Sequence, residues 1–339
     1  MSADGMLLHK DSPVAQSEET TSPAPAEAEQ AATHTARGLF TLPDQPTGVV
    51  LGATGLLGIT LTDTLRKAGW NVVTPGRGDL DLFDDNALAA CMDAHEPSVV
   101  FNTVAYTQVD RAEDEPDEAR RLNKCLPALL GRVLRSRPVR CLQLSTDFVF
   151  NGKHDVPYTT EDEPDPQSVY GKTKLDGEKA LLDALGEQAL VARTAWLFGP
   201  GRKNFIHTIL GACQEKTSLN VVHDQTGSPT YTVDLARMCL ALVSHPKAQG
   251  IYHLVNSGQA SWCELAAEAA TLAEVSCAIN AIPSSAYPQK APRPAYSVLD
   301  TSRFTNLTGM VPRPWIQAVR DYVFHDLWSS GLFSHAADH

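Results

Sequence analysis

The chain has 339 residues, of which 43% are hydrophobic and 20% charged, and its formal net charge is −12. It is long enough to bury a full hydrophobic core. The acidic balance argues against a surface that holds DNA, RNA or an anionic membrane, because those partners require clustered Lys and Arg. The seven cysteines are dispersed without a C-x-x-C pair, which favours reduced thiols over a disulfide framework, and we expect no metal site.

The two ends of the chain carry little sign of packed structure. Residues 1–46 are rich in Ser, Thr, Ala, Glu and Pro and predict a disordered tail, and residues 329–339 predict a second tail. The N-terminus lacks the basic and apolar regions of a signal peptide, and no apolar run approaches the roughly 20 residues that span a bilayer. We therefore expect a cytoplasmic protein.

Between the tails, short apolar runs alternate with helical stretches. The runs that predict buried strands are residues 48–51, 71–73, 99–101, 141–144 and 190–192. Strands that alternate with helices indicate a parallel sheet covered on both faces. We predict an α/β fold, a Rossmann-like doubly wound parallel sheet with a smaller C-terminal substrate-binding lobe. Residues 47–199 would be mainly the NAD(P)-binding domain, and residues 200–328 mainly the substrate lobe, with some return to the sheet.

A glycine-rich segment follows the first predicted strand. Gly52, Gly55 and Gly58 have G-x-x-G-x-x-G spacing between a strand and a helix. Glycine lets the backbone turn sharply and approach a pyrophosphate, and the following helix N-terminus offers unpaired N–H groups. The pattern predicts a dinucleotide site, with a tight structural turn as the alternative.

The second predicted strand bears on the choice of cofactor. An acidic residue at its end would bind the ribose 2′-hydroxyl of NADH, but the chain continues instead into Arg77. Arg77 favours NADPH, while NADH stays open because a solvated loop arginine explains the residue nearly as well.

Two later motifs could carry acid–base chemistry. Tyr170 and Lys174 are four residues apart and would share one face of a helix, where an ammonium group could lower the pKa of the phenol. Ser145, Thr146 and Asp147 follow a predicted strand at the edge where ligands bind in open parallel sheets. The alternative for the second cluster is a helix cap or turn.

These motifs resemble the extended short-chain dehydrogenase/reductases, and longer stretches resemble the dTDP-4-dehydrorhamnose reductase family. The similar stretches are residues 102–113, 144–152, 169–178, 193–199, 222–230 and 293–300. The resemblance covers roughly residues 48–327. The chain departs from the family at Phe148, where tyrosine is usual, at Val104, and slightly in the glycine turn.

The resemblance implies roles for individual residues. Tyr170 would protonate the C4 oxygen of the sugar, Lys174 would lower the pKa of Tyr170 and bind the nicotinamide ribose, and Thr146 would hydrogen-bond the carbonyl. The cofactor would also contact Gly52, Thr54, Gly55, Leu56, Leu57, Gly58, Arg77, Asp81, Leu82, Ala105, Tyr106 and Thr107. The substrate would contact Val109, Asp110, Thr146, Asp147, Trp196 and Arg293, the last being alternatively a structural anchor.

The function implied is NADPH-dependent reduction of a dTDP-4-keto-6-deoxyhexose, most simply dTDP-4-dehydrorhamnose to dTDP-rhamnose. Two alternatives stay open. One is another dTDP-sugar 4-ketoreductase, such as the type that makes a dihydrostreptose-like sugar. The other is a non-catalytic partner protein, because the regulatory subunit of methionine adenosyltransferase also resembles this family. The expected partner is the keto-sugar nucleotide, with a homodimer left open.

Overall fold

A computed structural model describes residues 40–328 of the chain. Its strands are β1 (Thr47–Leu51), β2 (Asn71–Val73), β3 (Val99–Asn102), β4 (Arg140–Thr146), β5 (Ala189–Thr194), β6 (Leu197–Phe198), β7 (Ser218–Val222), β8 (Thr226–Gly227), β9 (Thr230–Tyr231), β10 (Gly250–His253), β11 (Ala260–Ser261) and β12 (Ala278–Ile282). Its α-helices are α1 (Leu56–Lys67), α2 (Asp85–His95), α3 (Val109–Ala112), α4 (Pro116–Arg120), α5 (Leu126–Leu134), α6 (Val169–Leu185), α7 (Phe205–Glu215), α8 (Thr232–Ser244), α9 (Trp262–Leu272), α10 (Ser302–Thr308) and α11 (Trp315–Asp321).

The centre of the molecule is a six-stranded parallel sheet in the order β10-β5-β4-β3-β1-β2. The order reverses between β1 and β3, and this is the point where open α/β sheets bind ligands at the carboxyl ends of their strands. The strands are Val-, Leu- and Ile-rich because both faces of the sheet are covered. The predicted Rossmann-like parallel fold is therefore confirmed.

Two apolar cores lie on opposite faces of the sheet. One contains Leu61 and Leu65 of α1 together with Leu235 and Leu242 of α8. The other is formed by α2, α5 and α6 with the opposite sides of the strands. Strand β10 pairs with β5, so the chain returns to the central sheet after α8.

The remaining elements form a smaller layer beyond the carboxyl edge. It contains three short strand pairs, β7–β12, β8–β11 and β6–β9. A third apolar cluster joins α7, α9 and α11.

Most of both predicted tails, residues 1–39 and 329–339, lies outside the described residues. At the end of the first tail, the Arg140 guanidinium lies 4.0 Å from the centre of the Phe40 ring, and Leu42 packs on the core. No helix among residues 40–328 is long and apolar enough to cross a membrane.

Candidate active site

The glycine turn joins β1 to α1 by a very close backbone approach. Gly52 has φ +82°, and its carbonyl oxygen accepts a hydrogen bond from the Gly55 N–H at 2.9 Å. A Cβ atom on Gly58 would lie 2.1 Å from the Gly52 oxygen, so only glycine fits there. Helix α1 begins at Leu56 without a side-chain cap, which leaves its first N–H groups available for an anion.

The other predicted residues of the turn differ in what they can offer a cofactor. Thr54 is exposed and Leu56 half-buried, so both reach the turn surface. The side chain of Leu57 packs in the apolar core at 5% exposure. Leu57 can therefore contribute only its backbone N–H group.

The predicted adenine-side residues lie after β2. Arg77 is exposed, and within residues 40–328 it has no carboxylate at salt-bridge distance. The carboxylate of Asp81 accepts a hydrogen bond from the Phe83 N–H at 2.9 Å, and Leu82 packs at the margin of the core. Because no described carboxylate pairs with Arg77, its guanidinium is available for a phosphate.

The segment after β3 brings Ala105, Tyr106 and Thr107 to the same carboxyl edge. Tyr106 is buried, and its hydroxyl donates to Glu115 Oε2 at 2.6 Å. Its backbone N–H donates to Asn123 Oδ1 at 2.9 Å. The Tyr106 carbonyl accepts from the Asn123 amide at 3.2 Å. Because all three polar groups of Tyr106 have protein partners, its ring and the backbone of its neighbours remain as the surfaces that could line a cofactor.

The start of α6 is held close to the end of β4. Ser168 caps the helix by accepting a hydrogen bond from the Gly171 N–H at 3.1 Å. A Cβ atom on Gly171 would lie 2.2 Å from the Phe148 carbonyl oxygen. This close approach places Tyr170, on the first turn of the helix, against the carboxyl end of the strand.

Thr146 and Tyr170 meet at this junction. Strand β4 extends to Thr146, so Ser145 and Thr146 are its last two residues rather than the residues that follow it. The Thr146 hydroxyl lies near the phenol of Tyr170. Burial raises the pKa of Tyr170 to about 12, with the Thr146 hydroxyl opposing the rise. Tyr170 therefore keeps its proton at neutral pH, as a general acid must.

Lys174 lies one turn along the helix at 3% exposure, and its Nζ donates to the Leu144 carbonyl oxygen. Burial lowers the pKa of Lys174 to about 8, and the Glu178 carboxylate opposes the lowering. Lys174 is thus mostly protonated near neutral pH. The lowering of the Tyr170 pKa by Lys174 stays a prediction.

Glu178 forms a buried ion pair with Arg193 of β5, and sequence reasoning did not single out either residue. The Arg193 Nη2 to Glu178 Oε2 distance is 2.7 Å, and both side chains are 1% exposed. Ser145 also donates its hydroxyl proton to Glu178. The pair fixes α6 to the sheet directly behind Lys174.

Asp147 is buried beside the two hydroxyls. Its Oδ2 accepts a hydrogen bond from the Ser297 hydroxyl at 2.6 Å, and Thr146 donates to its Oδ1 at 3.0 Å. Burial raises the pKa of Asp147 to about 6, with the Ser297 and Thr146 hydrogen bonds opposing the rise. Ser297, within one of the family-like stretches, thus positions Asp147, which in turn orients Thr146.

A pocket of about 320 Å³ with five aromatic residues in its lining, the aromatic pocket, opens near these groups. Trp196 stacks on Trp262 with ring centroids 3.5 Å apart and planes 2° from parallel. Trp196 has φ +49°, and a Cβ on Gly227 would lie 2.5 Å from its ring. The pocket lining includes Phe148, Trp196, Phe205, Ile209, Asn220, Val221, Val222, Gln225, Trp262, Tyr287, Gln289, Arg293, Pro294 and Ser297.

Two predicted substrate residues form a pair with each other. Arg293 Nη2 lies 2.9 Å from Asp110 Oδ2. The other oxygen of Asp110 accepts hydrogen bonds from the backbone N–H groups of Lys290 and Ala291. The Arg293 guanidinium also lies 5.7 Å from the Phe148 ring centre. Asp110 therefore holds the segment that carries Arg293 against the rim of the pocket.

The structure thus brings the predicted acid–base residues together at the carboxyl edge of the sheet. Phe148 contacts Tyr170 edge-on, with ring centroids 5.5 Å apart, and also lines the pocket, so the acid and the pocket share a wall. Val109 packs against the cluster that contains Tyr170. Among residues 40–328, no group of three or more His, Cys, Asp or Glu is placed to hold a metal ion.

Comparison with known proteins identifies the family of this chain. The sequence model described as RmlD substrate binding domain matches residues 48–327. The chain is 38% identical over 275 residues to the spore coat polysaccharide biosynthesis protein SpsK of Bacillus subtilis, covering 81% of this chain and 96% of that protein. It is 39% identical over 283 residues to a dTDP-4-dehydrorhamnose reductase of Streptomyces griseus, covering 82% and 93%. A crystal structure of dTDP-4-dehydrorhamnose reductase from Bacillus anthracis in complex with NADP superposes with a TM-score of 0.78 at 28% identity, covering 82% and 98%. The chain belongs to the dTDP-4-dehydrorhamnose reductase family.

Proposed function

We propose that the chain uses NADPH to reduce the C4 keto group of a dTDP-linked 4-keto-6-deoxyhexose, with dTDP-4-dehydrorhamnose as substrate and dTDP-rhamnose as product. The observation that carries the proposal is the placement of the buried Thr146 and Tyr170 side chains at one junction, between a glycine turn and an aromatic pocket. A protonated phenol in that place can protonate an oxygen that becomes negative during reduction.

The protein residues would act on the carbonyl oxygen. When bound, the nicotinamide supplies the hydride that adds to C4. As the carbon–oxygen π electrons move onto oxygen, Thr146 would turn its hydroxyl proton from Asp147 Oδ1 towards that oxygen, and Tyr170 would transfer its phenolic proton to it. Lys174 then stabilises the phenolate that Tyr170 becomes, because an ammonium group nearby favours the charged form.

The predicted cofactor residues fit the two ends of a dinucleotide. The N–H groups at the start of α1 would hold the diphosphate. Arg77 would contact the 2′-phosphate, with Asp81 and Leu82 beside the adenine. Ala105, Tyr106 and Thr107 would line the cofactor between its two ends. NADH, which lacks the 2′-phosphate, would gain nothing from Arg77, so we expect NADPH to bind more tightly.

Two of the predicted substrate residues, Trp196 and Arg293, line the aromatic pocket. Trp196 would bound the sugar, with Asp147 helping to seat it through the Thr146 and Ser297 hydroxyls and Val109 lying beside Tyr170. Asp110 would keep Arg293 at the rim, where its guanidinium could face the substrate diphosphate. In this proposal residues 47–199 mainly bind the cofactor and residues 200–328 mainly bind the substrate.

We also propose that the chain works in the cytoplasm as a homodimer. A reducing compartment suits its seven free cysteines. Light scattering of the purified chain would give its oligomeric state directly.

The experiment is to supply the purified chain with dTDP-4-dehydrorhamnose and NADPH or NADH, follow the loss of nicotinamide absorbance, and identify the sugar product by NMR. We expect turnover, faster at low concentrations of NADPH than of NADH, with dTDP-rhamnose as product. A different 6-deoxysugar would indicate one of the related 4-ketoreductases. A folded, cofactor-binding chain that reduces no keto-sugar nucleotide would favour the partner-protein alternative.

A further inference from the structure

The loop between β6 and α7 reaches back to the glycine turn. The Arg202 side chain donates from Nε to the Thr54 carbonyl oxygen at 2.9 Å. Its neighbour Gly201 has φ +84°, and a Cβ there would lie 2.8 Å from Cδ1 of Ile59 on α1. The loop therefore packs on the first turns of α1, directly beside the turn that precedes the helix.

The loop is held in this place from its other end. The Asn204 side-chain amide donates to the Gly199 carbonyl oxygen at 2.9 Å and to the Tyr322 hydroxyl at 2.7 Å. Its side-chain oxygen accepts from the His207 N–H and so caps α7. Because Asn204 ties the loop to Tyr322 and to the start of α7, the backbone that carries Arg202 is positioned before any ligand arrives.

Among the described residues, the positive charge of Arg202 has no counter-ion. Within residues 40–328, neither Arg202 nor Lys203 has a carboxylate at salt-bridge distance, and both are exposed. The Thr54 carbonyl is neutral and uses one of the five guanidinium N–H groups. The two Nη nitrogens can still bind two oxygens of a phosphate at once.

We propose that Arg202 is a further cofactor-binding residue and that it binds the diphosphate of NADPH, opposite the N–H groups of α1. The inference rests on the proposed use of NADPH. The loop reaches α1 on the side that packs against α8, where Thr60 donates to the Thr232 carbonyl oxygen at 3.2 Å. Arg77 follows β2, at the edge of the sheet away from α8. Arg202 is thus placed for the diphosphate, and Arg77 for the 2′-phosphate.

The test measures cofactor binding directly, without sugar, by nicotinamide fluorescence in the full chain. Arg202→Ala should raise the Kd of NADPH and of NADH by the same factor, about 10-fold, because both contain the diphosphate. The Kd values of Arg202→Lys should lie between those of wild type and Arg202→Ala, since lysine keeps the charge and loses the bidentate contact. Adenosine 2′-monophosphate, which lacks the diphosphate, should bind wild type and Arg202→Ala equally.

The matched control is Arg66→Ala. It removes the same charge from an exposed position on α1, but about 15 Å from the start of the helix at 1.5 Å per residue. That distance exceeds the screening length of about 10 Å at 0.1 M salt, so its Kd values should match wild type.

Two results would overturn the inference while leaving the proposed function intact. One is an unchanged Kd in Arg202→Ala when wild type binds NADPH. The other is weakened binding of NADPH alone, with NADH unaffected, which would place Arg202 at the 2′-phosphate. A wild-type chain that binds neither cofactor would refute both the inference and the proposed function.

Discussion

Glu178→Gln tests how the buried charges behind Lys174 contribute to stability and to the working pH. Glu178 accepts three hydrogen bonds from Arg193, from Nη2 to Oε2 at 2.7 Å and from Nε to Oε1 at 3.0 Å and to Oε2 at 3.2 Å. It also accepts the hydroxyl proton of Ser145. The substitution keeps the shape of the side chain and removes its charge.

The cost to folding follows from burial. Both members of the pair are 1% exposed, and Arg193 Nη1 has no hydrogen-bond partner among the described residues. Removing one partner of such a pair typically costs about 3–5 kcal/mol, because the remaining charge stays buried without a counter-ion. Against a usual total of about 5–15 kcal/mol, the free energy of unfolding should fall by a large fraction.

The same substitution should shift the pH dependence of activity. The Glu178 carboxylate raises the pKa of Lys174 against the lowering by burial. Without that carboxylate the pKa falls further, so Lys174 loses its proton at a lower pH. The decline of kcat at alkaline pH should therefore begin earlier in Glu178→Gln than in wild type.

Urea unfolding and a pH profile of kcat measure the two effects. The control is Asp183→Asn, which neutralises an exposed carboxylate on the same helix and should change neither quantity. Replacing both members, Glu178→Leu with Arg193→Met, should recover part of the lost stability. Glu178 would have neither role if Glu178→Gln unfolded at the same urea concentration as the control and kept the wild-type decline of kcat at alkaline pH.

Three further predictions concern the turn, the lysine and the pocket rim. Gly58→Ala would place a Cβ atom 2.1 Å from a backbone oxygen, so it should abolish NADPH binding, measured by titration, or folding, measured by thermal melting. The control Gly211→Ala should behave as wild type, because its Cβ atom would have no described neighbour within 4 Å. With a Lys174 pKa of about 8, the ammonium form is present below that pH and lost above it. The wild-type kcat should therefore fall as the pH rises through about 8, and a flat profile to pH 10 would contradict the role of Lys174. Asp110→Asn should weaken the contact with Arg293 and raise KM for the sugar nucleotide several-fold, with little change in the Kd of NADPH. Equal changes in the two constants would contradict a role of Asp110 that is specific to the substrate.

The sequence was sufficient for the family and the parallel fold, and it suggested the acid–base residues, because all three depend on local patterns. The glycine turn is a strand–turn–helix signal within a few residues, and Tyr170 and Lys174 are one helical turn apart. The family and fold class are confirmed. The roles assigned to individual site residues remain proposals.

Contacts between distant segments could not be predicted in the same way. Arg202 and Thr54 are 148 residues apart, and no periodicity links them. Asp110 and Arg293 were each predicted to contact substrate, and their pairing across 183 residues depends on the folded chain. The stacking of Trp262 on Trp196 could not be predicted from the sequence, because a single tryptophan at the start of a helix is typical of an ordinary core residue.

The most direct test of the account compares wild type, Tyr170→Phe and Tyr252→Phe with NADPH and dTDP-4-dehydrorhamnose. Tyr252 is buried in β10 at 3% exposure, so Tyr252→Phe is a control that removes a buried phenolic hydroxyl outside the site. We expect Tyr170→Phe to lose about 10²–10⁴-fold in kcat, the usual contribution of a general acid, with an unchanged Kd for NADPH, and Tyr252→Phe to retain activity. Full turnover by Tyr170→Phe would contradict the assignment of Tyr170 as the proton donor, and with it the proposed mechanism.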